Sequence, residues 1–134
     1  MERKIRSVLL VDDDNINNFI NQRLIKKLNF SESIHTVTNG QEALDFLRQK
    51  INSKDPLPEL ILLDINMPVM DGFEFIEQYR NLPEKGTSNI IVLTTSTNDK
   101  DMDKVSGAKE VSGFINKPLT EEKLTSAIGK LAFS

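Results

Sequence analysis

Five short apolar runs recur along the chain, and amphipathic segments separate them. The runs lie at 7–11 (SVLLV), 33–37 (SIHTV), 59–63 (ELILL), 89–95 (NIIVLTT) and 112–116 (SGFIN). Three of them are almost unbroken apolar stretches, the pattern of a parallel strand covered on both faces. The segments between them carry helical spacing. Ile16, Ile20, Leu24 and Leu28 recur at i+4 and are expected to form the inner stripe of a first helix. Asn39 is expected to cap a second helix, with Glu42 as its capping-box partner and Ala43, Leu44, Leu47 and Ile51 on its inner face. A third helix follows Met70-Asp71-Gly72, and a fourth is expected across 99–108. The last opens at Thr120, with Glu121 and Glu122 in its first turn and Leu124, Ala127, Ile128 and Leu131 facing inward. Strand and helix alternating in this way predict an α/β fold, a five-stranded parallel sheet with helices on both faces. Right-handed crossovers leave few strand orders for it.

Composition narrows the function. The chain of 134 residues is 38% apolar and 28% charged, so it can bury a core and is expected to be one soluble domain over 1–134. Its core is expected at about 5–132, with no room for an output domain. A net charge of −3 argues against a nucleic-acid partner, which demands clustered Lys and Arg. There is no cysteine, which removes disulfides, thiolate metal sites and Cys nucleophiles and fits a cytoplasmic place. No run of apolar residues is long enough to span a membrane, and none follows the basic start as a signal peptide would require. His35 is the one histidine, set in a short apolar stretch, and is expected to be structural rather than catalytic.

Four of the strands end in polar residues the strands do not need: Asp12-Asp13-Asp14, Asp64, Thr94-Thr95-Ser96 and Lys117. Open α/β sheets bind ligands beyond the carboxyl ends of their strands, where the strand order reverses. In the order 2-1-3-4-5 that reversal lies between strands one and three, so Asp12, Asp13 and Asp64 would meet there, flanked by Thr94 and Lys117. Like charges about 4 Å apart repel by roughly 1–4 kcal/mol per pair. One lysine does not balance three acids, whereas a divalent cation does. Oxygen donors without Cys or His select a hard ion, Mg²⁺ with Mn²⁺ as the substitute. Such a site has the makings of phosphoryl chemistry with an Asp nucleophile.

The segment LILLDINMPVMDGFEF at 60–75 resembles the phosphoacceptor segment of two-component response regulator receiver domains, whose fold is the flavodoxin-like (βα)5 sandwich. LLVDDD matches that family's acidic pair, IIVLTT its strand-four threonine and FINKPL its Lys-Pro, in the family's order and across nearly the whole chain. The resemblance implies that Asp64 is the phosphoacceptor, that Asp13 binds the metal directly and that Asp12 acts mainly through metal-bound water. Asn66 would offer its backbone carbonyl to the metal. Thr94 would hydrogen-bond a phosphoryl oxygen, Thr95 would stand at the small-residue position beside it, and Lys117 would pair with the phosphoryl group. The Lys117-Pro118 bond is expected to be cis. Phe114 stands at the aromatic switch position, where many members carry Tyr, so a signal through a ring hydroxyl is unavailable.

The function so implied is Mg²⁺-dependent acceptance of a phosphoryl group from a sensor histidine kinase or a histidine phosphotransfer protein, with no external substrate turned over. Output would run through the surface formed by the 99–108 helix, the fifth strand and the last helix to a downstream protein, in a monomer or a phosphorylation-dependent dimer. The alternative from another class is a phosphorylation-independent pseudo-receiver, an interaction module only. Asp12-x-Asp14 imitates the haloacid-dehalogenase phosphatase motif, but Ile16 stands where that motif needs Thr or Val. Asp13-x-Asn15-x-Asn17 imitates a calcium loop, but Asn18 and Leu24 occupy its Gly and Glu positions. Asp14 is expected to be a solvated acid at the first helix, and Asp71 and Gly72 the start of the third.

Overall fold

The computed structural model describes residues 5–65, 70, 72–82, 88–94 and 111–131. Five parallel strands are present: β1 (Val8–Val11), β2 (Ile34–Val37), β3 (Leu60–Asp64), β4 (Asn89–Thr94) and β5 (Val111–Asn116). Among the described residues four helices accompany them: α1 (Asn15–Leu28), α2 (Gly40–Asn52), α3 (Gly72–Arg80) and α4 (Glu121–Gly129). The helix expected across 99–108 lies outside the described residues. The strand order is β2-β1-β3-β4-β5, the order on which the switch-point expectation rests.

Side chains alternate across the sheet with period two. Leu9, Val11, Ile61, Leu63, Ile90 and Val92 pack with α2 and α3, through Ala43, Leu44, Leu47, Phe75, Ile76 and Tyr79. Val8, Leu10, Leu60, Leu62, Ile91 and Leu93 pack on the other face with Ile25 of α1 and with Leu124 and Ile128 of α4. Every residue of β1 and β3 is buried, which explains why those strands read as continuous apolar runs. β2 and β5 are the edges and are only partly covered.

The helix starts follow their caps. Asn39 Oδ1 accepts from the Glu42 amide at 2.8 Å, while the Glu42 carboxylate returns to Thr38, one residue before the cap, at 2.7 Å from its amide. Those two bonds from Thr38, amide and hydroxyl, hold the Glu42 carboxyl below the ordinary carboxylate range. Thr120 caps α4 by accepting from the Lys123 amide. Asp14 is the N-cap of α1, its carboxylate accepting from the Ile16 amide at 2.8 Å.

The inner stripe expected for α1 is wrong in its first half. Ile16 and Ile20 are 68% and 54% exposed, and the buried residues are Asn18, Asn21 and Ile25. Each helical residue turns about 100°, so a strict i+4 row drifts by about 40° per step and leaves the core face within two or three steps. The face that packs steps by three and four in alternation, through Asn18, Asn21, Ile25 and Leu28.

Candidate functional site

The strand order reverses between β1 and β3, and the carboxyl ends of these two strands carry acids. Asp64 is the last residue of β3, and Asp12 and Asp13 directly follow β1. One carboxylate oxygen from each of Asp12, Asp13 and Asp64 lies within 4.8 Å of the others. Asp12 and Asp64 are buried and Asp13 is exposed, so the cluster opens to solvent on the Asp13 side.

Lys117, just past β5, reaches across to both buried acids. Its Nζ is 3.2 Å from Asp12 Oδ2 and 3.2 Å from Asp64 Oδ2. Burial opposes the charge on this ammonium, but the Asp64 and Asp12 carboxylates together hold it above the ordinary lysine range. The backbone places it there: the Lys117 amide donates to the Thr94 carbonyl at 2.9 Å and so continues the β4–β5 ladder by one bond. The Lys117-Pro118 peptide is cis, as expected. Thr94 ends β4, fully buried, one residue beyond the level at which Leu93 pairs with Asp64.

The Asp12–Asp14 segment is fixed by its own hydrogen bonds. The Asp12 amide donates to the Val37 carbonyl at 3.2 Å, and the Asp14 amide donates to Asp12 Oδ1 at 2.9 Å. Gly72 opens α3 against the residue after Asp64, with its amide on the Ile65 carbonyl at 3.1 Å. A Cβ at this glycine would stand 2.7 Å from Ile65 Cα, so only a hydrogen fits where α3 crosses the end of β3.

Of the residues singled out from sequence, Asp12, Asp13, Asp64, Thr94 and Lys117 thus collect at one edge of the sheet. Asn66, Thr95, Ser96 and Asp71 lie outside the described residues. Phe114 pairs with Val92 in β5 and is half-buried against the α2 and α3 side of the core. His35 stands away from the site, on edge strand β2, with its ring 5.0 Å from that of Phe46. Sequence reasoning missed Asn18, a buried amide whose Nδ2 donates to the Asp12 carbonyl at 2.9 Å. It also missed an exposed apolar patch of Ile16, Phe19 and Ile20 on the first turns of α1. Ile20 of that patch continues into a groove of about 360 Å³ lined also by Asn21, Lys117, Pro118 and Leu119.

The donor set is chemically uniform: three carboxylates, with no nitrogen or sulfur ligand among them. That set suits a hard divalent cation such as Mg²⁺, and the ammonium already drawn between Asp12 and Asp64 shows that the pocket favours positive charge.

Residues 8–129 match the family model of the response regulator receiver domain. The chain is 34% identical to two-component response regulator 24 of Arabidopsis thaliana, over 95% of this chain and 84% of that protein. It is 32% identical to the probable methanogenesis regulatory protein FilR2 of Methanothrix harundinacea, over 92% of this chain and 79% of the relative. A crystal structure of a two-component response regulator from Cytophaga hutchinsonii superposes with a TM-score of 0.86 at 35% identity, covering 96% of this chain and 97% of that one.

Proposed function

The chain belongs to the response regulator receiver domain family of two-component systems, and from that membership we propose that it accepts a phosphoryl group on Asp64 from a phosphohistidine of a partner protein. A carboxylate oxygen of Asp64 attacks phosphorus, a P–O bond forms, and the P–N bond to the donor imidazole breaks with its electron pair leaving on the ring nitrogen. Asp12 and Asp13, with Asp64 and the Asn66 carbonyl, would hold Mg²⁺ or Mn²⁺, which when bound would offset the charge of the incoming phosphoryl oxygens. Lys117 exchanges its contact with the carboxylates for one with the transferred group, and Thr94 and Thr95 serve its remaining oxygens. No external substrate is turned over.

The observation that carries this reading is the convergence of three carboxylates at the switch point of the sheet, two of them paired with a single lysine. A structural ion pair would need one acid for one lysine. Two buried acids and a third at the rim make a site that is short of positive charge, and it supplies an oxygen nucleophile beside an ammonium.

The patch of Ile16, Phe19 and Ile20 supports the protein nature of the donor. These residues are 68%, 58% and 54% exposed on the helix that follows the metal-binding pair, and the groove beside Ile20 is also lined by Lys117. A donor whose histidine reaches Asp64 must cover this rim, and covering it removes apolar surface from water. Family membership supports histidine kinases or histidine phosphotransfer proteins, in the cytoplasm, as the donors. Downstream, a shift of Thr94 toward the phosphoryl group and repacking of Phe114 would alter the β5–α4 surface that a target protein reads, in a monomer or in a phosphorylation-dependent dimer.

Intact-mass analysis after treatment with acetyl phosphate and Mg²⁺ tests the proposal. A single Mg²⁺-dependent phosphoryl adduct, absent from Asp64→Asn, is expected. No adduct, or one that maps elsewhere, would overturn it in favour of a pseudo-receiver that acts by interaction alone.

A further inference from the structure

Asn18 lies one turn inside α1, 4% exposed, at a junction of three elements. Its Nδ2 donates to the carbonyl of Asp12 at the end of β1, at 2.9 Å, and to the carbonyl of Val37 at the end of β2, at 3.2 Å. The Val37 carbonyl also accepts the Asp12 amide at 3.2 Å. The Oδ1 of Asn18 is enclosed and has no hydrogen-bond partner among the described residues. Exchanging the amide's oxygen and nitrogen would set an oxygen against two carbonyl oxygens, so the orientation follows from chemistry.

An enclosed acceptor without a partner is a cost, and a leucine of similar size would avoid it. What the asparagine supplies here is its donor end. That donor end acts on Asp12. The Asp12–Asp14 segment is held at one side by the Asp14 amide on the Asp12 carboxylate and at the other by Asn18 on the Asp12 carbonyl. Asp13 lies between these two fixed points, and its exposed carboxylate takes its direction from them.

We propose that Asn18 is a positioning residue for the cation site: acting through the Asp12 carbonyl, it holds the Asp12–Asp13 segment in the arrangement that binds Mg²⁺. The inference rests on the Mg²⁺ reading of the three acids. Outer partners of metal ligands are worth about 10–100-fold in metal affinity. Asn18→Leu is expected to weaken Mg²⁺ binding about tenfold by calorimetric titration, with helix content by circular dichroism unchanged. Ile25→Val, a core change on the same helix that touches no acid, is expected to leave the affinity as it is. In the unaltered protein, the Asn18 side-chain NH₂ resonances are expected to shift as Mg²⁺ is added, a readout that stands even if the variant does not fold.

Equal Mg²⁺ affinity in Asn18→Leu and the parent overturns the proposal, as does an equal loss in Ile25→Val or an unmoved Asn18 resonance pair in a parent that binds the ion. A parent that binds no Mg²⁺ at all overturns the reading beneath it instead.

Discussion

Lys117 Nζ stands 3.2 Å from Oδ2 of Asp64. The contact ties the end of β5 to the end of β3 across the intervening β4. Because the same ammonium also lies 3.2 Å from Asp12 Oδ2, one cation serves two acids whose side chains are 3% and 4% exposed. Lys117→Met keeps the length of the side chain and removes the charge, leaving two enclosed carboxylates facing each other. Breaking a fully buried pair costs about 3–5 kcal/mol. The lysine side chain is 19% exposed, so solvent screening reduces the expected loss to about 2 kcal/mol in urea melts. Mg²⁺ should restore most of it, and should bind the variant more tightly than the parent because no ammonium competes. Equal metal-free stability of the two proteins would contradict the role assigned to the pair.

The direction of the pH dependence follows from the same contact. The folded-state pKa of Lys117 is raised above its unfolded value of 10.5. A group of this kind contributes stability below its unfolded pKa and loses it as pH rises through the folded one. The stability gap between parent and Lys117→Met should therefore be level from pH 7 to about 10 and narrow above 10.5. Paired chemical melts across that range would measure it.

The α1 patch separates two kinds of phosphodonor. Phe19 and Ile20 are exposed apolar residues of α1, and Ile20 lines the groove that Lys117 also lines. Phe19→Ala with Ile20→Ser is expected to slow transfer from a phosphohistidine protein about tenfold, in keeping with the truncation of central apolar contacts in an interface. Labelling by acetyl phosphate should proceed at the parental rate, since a small donor covers no rim. Equal slowing with both donors would place the defect in the site rather than in docking.

These residues also mark where the sequence was legible and where it was not. The five parallel strands, the caps at Asn39 and Thr120 and, once the strand order 2-1-3-4-5 is taken, the gathering of Asp12, Asp13, Asp64, Thr94 and Lys117 followed from local pattern, because buried parallel strands are apolar throughout and ligands collect at their carboxyl ends. The inner face of α1 did not follow. Its core side carries Asn18 and Asn21, while its solvent side carries Ile16, Phe19 and Ile20, so a hydrophobicity count points outward. The inversion has a physical reason: the first turns of α1 pack against strand ends with carbonyls to satisfy, as the bonds of Asn18 show. Only the structure reveals which carbonyls those are.

Two glycines with the same chemistry should respond in opposite directions to alanine. At Gly72 the added methyl would lie 2.7 Å from Ile65 Cα and 2.8 Å from its Cγ2, so α3 must move away from the end of β3. Overpacking of this kind costs about 1–3 kcal/mol, and the displaced neighbour adjoins Asp64, so phosphoryl labelling should fall as well. At Gly129, in the last turn of α4, a Cβ would meet nothing within 4 Å among the described residues. Gly129→Ala should raise stability by about 0.5–1 kcal/mol through helix propensity, with labelling unchanged. Thermal melts and acetyl phosphate assays on the two variants measure both halves.

His35 supplies the last test, away from the site. Its ring packs against Phe46, 5.0 Å between centroids, with Nε2 3.4 Å from the Ser33 hydroxyl. Burial, and then the nearby positive charge of Lys50, lower its pKa below the ordinary value of 6.5. In the unfolded chain the imidazole takes up a proton as pH falls through 6.5, whereas the folded protein resists that proton until a lower pH. The unfolded state thus binds more protons in the window just below 6.5, and stability declines there as the solution is acidified. His35→Gln removes the titrating group, so the difference in stability between parent and variant should change across that window and be level above pH 7. Urea midpoints at half-unit pH steps would show it. A difference that does not vary with pH would mean that the ring is solvated like a free histidine, against its packing on Phe46.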